Sequence, residues 1–140
     1  MSAKDIFHEP FVRALQKEGW TITHDPLTIP FDGTELFVDI GAERLIGAVR
    51  DGERIAVEIK SFLKPSPVQD LKEAVGQYIL YGDIMAESPD NADRTLYLAV
   101  REETYRVVFS KSQTLRLIQN RNIRLIVFDP DREVIILWIS

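Results

Sequence analysis

Arg50-Asp51-Gly52-Glu53 constrains the fold of this chain more than any other stretch. Asp-Gly takes positive φ readily, so it suits a tight turn between two antiparallel strands. The runs on either side, residues 44–49 and 54–60, are rich in apolar residues and read as those strands. The turn also orders the side chains of Arg54-Ile55-Ala56-Val57-Glu58-Ile59-Lys60, because alternate residues of a strand share a face. Ile55, Val57 and Ile59 point into a core, while Ala56, Glu58 and Lys60 point the other way. A carboxylate and an ammonium therefore stand side by side at an exposed strand end. Glu-x-Lys is also common as a solvated strand face with a weak charge pair, so its neighbours must decide its meaning.

Those neighbours follow from the rest of the chain. Ser2 is positioned to cap a helix over residues 4–17, with Phe7, Phe11 and Leu15 recurring every four residues and Gly19 closing it. Pro10 lies inside that helix and is expected to kink or shorten it, since it lacks a donor. Residues 20–23 alternate as a strand that ends at Asp25-Pro26, and residues 36–40 read as a second strand. Ser66-Pro67-Val68-Gln69 is a strong helix start: a capping Ser, Pro at the first position, Gln three residues on. That helix should run to about Met85 with Leu71, Val75, Tyr78 and Ile79 as its apolar stripe.

Residues 95–100 form a nearly continuous apolar run, as a central buried strand does. Residues 102–109 and 111–120 read as short helices, and 123–128 and 134–139 as strands around Asp129-Pro130-Asp131. The expected class is α/β, a single domain over residues 1–140 with a mixed sheet and helices on its faces. The final strand, with Ile135-Ile136-Leu137-Trp138-Ile139, has too few polar residues for a free edge. It is expected inside the sheet or covered by another subunit.

Composition narrows the chemistry. The 140 residues suffice for a genuine core. No cysteine is present, which excludes disulfides and thiolate metal sites, and two histidines are too few for a His-rich one. Any metal would be a hard, oxygen-liking ion such as magnesium or manganese. No run is long enough to span a bilayer and the first residues lack a signal-peptide pattern, so no membrane role and a cytoplasmic location are expected. The net charge of −5 argues against non-specific nucleic-acid binding and confines any DNA contact to a local patch.

Within this order, polar features fall on adjacent elements. Glu9 lies on the first helix, Asp39 on one strand, and Glu58 and Lys60 on the next. Gln77 and Tyr81 are four apart on the capped helix and share a face, toward the edge of its apolar stripe. Each has a plainer reading. Glu9 can be a solvated helix residue, Asp39 can open a turn before Gly41 with Glu43 as its rival, and Tyr81 can be ordinary core edge.

With these residues in place, the chain resembles the PD-(D/E)XK nuclease superfamily. The resemblance rests on Asp39, on Glu58-Ile59-Lys60, on Glu9 in the preceding helix, and on Gln77-Tyr78-Ile79-Leu80-Tyr81, which is similar to a QxxxY element. Val38 stands where that superfamily nominally has proline. Over nearly its whole length the chain more closely resembles the XisH family, the fdxN-element excision controlling factors of cyanobacteria. Ala3-Lys4-Asp5-Ile6-Phe7-His8, Gly19-Trp20-Thr21-Ile22-Thr23-His24-Asp25-Pro26-Leu27 and Ile55-Ala56-Val57-Glu58-Ile59-Lys60-Ser61-Phe62 carry that resemblance.

The resemblance implies a restriction-endonuclease-like core and a role in DNA rearrangement during heterocyst differentiation. It implies Mg2+ or Mn2+ held by Asp39, Glu58 and the Ile59 carbonyl, with Lys60 orienting water or stabilising the transition state. Glu9 would add a ligand or hold a water, and Gln77 and Tyr81 would position the backbone or brace Lys60. The implied partners are DNA, an XisI-like second controlling factor, a site-specific recombinase and, for the last strand, a second copy of the chain. A non-catalytic regulator with the same fold is the competing expectation.

Overall fold

The structure, a computed structural model, describes residues 6–32, 34–36, 44–63 and 66–140. Helix α1 (His8–Lys17) leads into strands β1 (Thr21–His24), β2 (Ile29–Phe31) and β3 (Thr34–Leu36). The hairpin β4 (Arg44–Arg50) and β5 (Glu53–Ile59) is followed by the long helix α2 (Pro67–Glu87) and strand β6 (Thr95–Arg101). Helix α3 (Glu102–Thr104) runs into a π-helical turn, Tyr105–Phe109, before α4 (Ser112–Asn120), β7 (Leu125–Asp129) and β8 (Val134–Ile139). Six strands form one mixed sheet in the order β1-β4-β5-β6-β7-β8, and β2 and β3 form a separate pair.

The expected hairpin is the organising unit. Asp51 and Gly52 have φ of 51° and 81°, the two positive values that match a two-residue turn to strand twist. Pairing then runs in register from Arg50↔Glu53 to Arg44↔Ile59. β5 pairs in parallel with β6, and β6 with β7, so β5 to β7 share a carboxyl end. The crossovers place α2 and the segment from α3 to α4 on one face, where Ala74, Tyr78, Tyr81, Phe109 and Ile118 pack with Ala56, Leu98 and Leu125. On the other face, Phe11 and Leu15 of α1 and Trp20 pack with Ile55, Val57, Ile59 and Ile126. Tyr78 links helix to sheet: its hydroxyl donates to Leu96 O at 2.9 Å and accepts from Arg124 N at 3.1 Å.

Several expectations change here. α1 begins at His8 rather than residue 4, a shorter helix in which Pro10 is the third residue. First-turn N–H groups have no intrahelical partner to lose. Ser2, the expected cap, lies outside the described residues. The cap of α2 is as expected, Ser66 Oγ accepting from Gln69 N at 3.2 Å. Its buried residues are Asp70, Ala74, Tyr78, Tyr81 and Met85; of the expected stripe Tyr78 is buried, Leu71 and Val75 pack partly buried against the same core, and Ile79 is exposed. Tyr81 is therefore in the core rather than at its edge. Strand β8 is not inside the sheet but at its margin, with Ile136 45% and Leu137 40% exposed. β2 carries no period-2 signal in its three residues and was not expected.

Candidate active site

Glu58 and Lys60 share a face, as the strand period requires, but that face is not open. α2 lies over it, leaving Glu58 0% and Lys60 3% exposed. The expected exposed strand end is thus a buried one, because the β5–α2–β6 crossover returns across it. Lys60 N donates to Ala99 O at 3.0 Å and prolongs the ladder with β6 past the end of β5. Its Nζ donates to Glu73 Oε1 at 3.1 Å, and Glu73 Oε2 accepts from Gln69 Nε2 at 3.3 Å. Burying both an ammonium and a carboxylate costs several kcal/mol unless partners are supplied; Glu73 is one such partner of Lys60.

Gln77 is half-buried one turn beyond Glu73, and its Oε1 is buried without accepting a hydrogen bond among the described residues. Ser61 Oγ and Arg101 Nε are likewise buried without partners there. Arg101 Nη2 donates to Ser61 O at 3.0 Å, so these groups flank the same end of the sheet. Native structures rarely leave buried polar atoms unpaired, and such atoms tend to mark places where a ligand or water completes the bonding. Phe62, directly after this stretch, is held at φ 56°, a costly conformation for a bulky residue. It packs edge-on against Phe109 with ring centroids 5.5 Å apart.

Ile59 is the last residue of β5, with its side chain in the core on the α1 side. Asp39 and its rival Glu43 lie outside the described residues. Glu9 sits on α1, across the sheet from Glu58; its carboxylate meets His8 Nδ1 at 3.2 Å and Arg13 Nη1 at 3.8 Å. The beginning of α1 nevertheless reaches this end of the sheet, where the Arg101 guanidinium lies 4.5 Å over the Phe7 ring. Tyr81 is 4% exposed among core residues of α2.

Sequence reasoning missed Glu73, Asp70 and Arg101. The available signal was Gln69, Glu73 and Gln77 recurring every four residues, a polar stripe beginning at the capped end of α2. Asp70, 2% exposed on the same helix, adds a second buried carboxylate near its start.

The oxygen donors at this end, Glu58, Glu73 and Gln77 Oε1, are of the type a hard divalent ion takes. Among the described residues, no three His, Cys, Asp or Glu side chains gather as a metal-binding group. The donor type fits such an ion, and Asp39, the expected second carboxylate, lies outside the described residues.

Fold and site together define a mixed α/β protein with a buried acid–lysine pair at the carboxyl end of its parallel strands. The chain belongs to the XisH family, whose model, described as XisH protein, matches residues 1–136. It is similar to the crystal structure of an XisH family protein from Nostoc punctiforme, with 39% identity and a TM-score of 0.87, covering 97% of this chain and all of that one. It is also similar to a fdxN element excision controlling factor protein from Anabaena variabilis, with 41% identity and a TM-score of 0.85, covering 96% of this chain and 98% of that one. No curated protein matches. Among the described residues, no helix is long and apolar enough to cross a membrane.

Proposed function

We propose that this chain controls excision of a DNA element, and that it does so as a divalent-metal-dependent phosphodiesterase of the PD-(D/E)XK type. The similarity to the Anabaena variabilis fdxN element excision controlling factor protein supports the first part. One observation carries the second: Glu58 and Lys60 are both buried on one face at the carboxyl end of β5, with Lys60 Nζ fixed by Glu73. Ligands of open α/β sheets bind at that end of parallel strands.

Magnesium or manganese would be held by Asp39, Glu58 and the Ile59 carbonyl. When bound, such an ion neutralises phosphate charge and makes water more acidic. Lys60 offers its ammonium to the oxygens on which charge develops as water adds to phosphorus and the P–O bond to the leaving sugar breaks. Glu73 limits where that ammonium can point. Gln77 Oε1 is an acceptor for the attacking water and Tyr81 braces α2 from beneath, while Glu9, engaged by His8 and Arg13 on the opposite face, takes no part in this site.

The test is cleavage of single-stranded, double-stranded and branched DNA in manganese, with and without an XisI-like partner. Wild-type cleavage that disappears in Glu58→Gln and Lys60→Met supports the reading. Cleavage that persists in both, or its absence on every substrate, overturns it.

A second reading, a regulator acting through a protein partner and a site-specific recombinase, draws on the apolar margin of β8, where Ile136 and Leu137 are exposed. A second copy of the chain or an XisI-like factor is the surface that edge suits. Excision in cells carrying Lys60→Met separates the two: normal excision with stable protein favours the regulator.

A further inference from the structure

Arg94, immediately before β6, is 8% exposed, yet no ion pair holds its guanidinium among the described residues. Its contacts are neutral. Nε donates to Asn91 Oδ1 at 3.0 Å, Nη1 donates to Ile55 O at 2.9 Å, and Nη2 stands 3.4 Å from His24 Nδ1. A guanidinium has five N–H donors and accepts nothing, so these contacts leave donors over. Burial, and then the nearby Arg54 charge, hold Arg94 below the usual arginine range, against the pull of Asp93. A buried charge without a direct ion-pair partner is costly, and this fold retains one.

Arg94 lines a cleft of about 510 Å³ together with His24, Thr28, Arg54, Asp90 and Asn91. That volume lies within the range of about 300–1,000 Å³ typical of small-molecule sites. Arg54 is anchored on the wall, paired with Asp93 and donating to Asp90 O at 3.0 Å. Gly47 of β4 makes room for these two side chains: a Cβ there would come within 3.1 Å of Arg94 Nη1 and 3.2 Å of His24 Nδ1. The cleft opens at the amino end of β5 and β6. The candidate active site is at their carboxyl end, about 20 Å away for the roughly six steps of about 3.3 Å along a seven-residue strand.

We infer that this cleft is a second site, which binds a phosphate monoester through Arg94, with Arg54 and His24 as supporting contacts. Planar guanidinium donors match phosphate oxygens in pairs. The carboxylates of Asp90 and Asp93 also line the cleft. Asp93 is neutralised by Arg54, and Asp90 disfavours additional negative charge, so a ligand with one phosphate fits better than a polyphosphate. The phosphate is carried by a small metabolite or by the 5′ end of a DNA strand; the chemistry recognised is the same. The inference does not depend on the phosphodiesterase reading.

The test is an NMR titration that follows the Arg94 Nε–H and the Asn91 amide. Its three arms are inorganic phosphate, a 5′-phosphorylated oligonucleotide and the same oligonucleotide with a 5′ hydroxyl. Saturable shifts with the two phosphate-bearing ligands and none with the third are expected. Arg54→Ala should weaken binding about tenfold, the loss of one charge-assisted contact, and Gly47→Ala should abolish it by displacing the guanidinium. Saturation by inorganic phosphate alone assigns a small-molecule ligand, and tighter binding of the oligonucleotide assigns a strand end. No shift at Arg94 up to about a hundred times the millimolar range of weak ligands, or equal affinity in Arg54→Ala, overturns the proposal. Arg94→Gln should abolish binding as well, and Arg54→Ala keeps the test decisive if that variant fails to fold.

Discussion

Lys60 Nζ and Glu73 Oε1, 3.1 Å apart, join the end of β5 to the first half of α2. The two partners are buried unequally, at 3% and 30% side-chain exposure, so removing one is not equivalent to removing the other. Glu73→Gln removes one counter-charge from a buried ammonium and should lower stability by about 2 kcal/mol, less than the 3–5 kcal/mol or so of a fully buried pair. Lys60→Met leaves a carboxylate that can turn to water, and should cost less. Urea midpoints of the two variants check the order; a larger loss in Lys60→Met would contradict it.

The Tyr78 hydroxyl satisfies Leu96 O and Arg124 N in one buried place. Tyr78→Phe keeps the ring and removes both bonds, stranding a buried acceptor on β6. A loss of about 1–3 kcal/mol is expected, measured by chemical denaturation. An unchanged midpoint would mean that water replaces the hydroxyl.

Arg13 Nε donates to Glu133 Oε2 at 2.7 Å and ties α1 to the β7–β8 turn. That hydrogen bond, with the Arg13 charge behind it, holds the Glu133 carboxyl below its ordinary value of 4.5. A lowered folded-state pKa contributes stability that is present above the unfolded value and is lost as pH falls through the folded one. The melting temperature of Glu133→Gln should therefore lie below wild type at neutral pH, and the gap should close as pH drops below 4.5. Thermal melts of both proteins from neutral pH to about pH 3 test the sign; a gap that widens in acid would refute it.

β8 leaves Ile136 and Leu137 exposed at the margin of the sheet. A charge placed there should block edge-to-edge pairing without loosening the core. Ile136→Lys is expected to change stability by no more than about 0.5 kcal/mol while reducing self-association or partner capture in sedimentation velocity. A wild-type chain that stays monomeric at every concentration, with and without an XisI-like protein, would remove this edge from the partner reading.

The features legible in the sequence are those set by a few adjacent residues. Asp51-Gly52 specifies its turn because both φ values are positive there. Ser66 caps α2 because its hydroxyl reaches an N–H only three residues on. The apolar run of β6 is central because each of its faces meets a core. Placing Glu58 and Lys60 on one face needed only the strand period. Their burial was not legible, since it depends on which face the crossover brings α2 across. The same choice makes Glu73 the partner of Lys60 and sets α1, with Glu9, over the opposite face. Likewise, the apolar character of β8 was plain, but its place at the margin follows from pairing with β7 alone. Local propensity is written in neighbouring residues, whereas burial, partner choice and strand order arise from contacts between segments distant in the chain, and only the assembled sheet decided those.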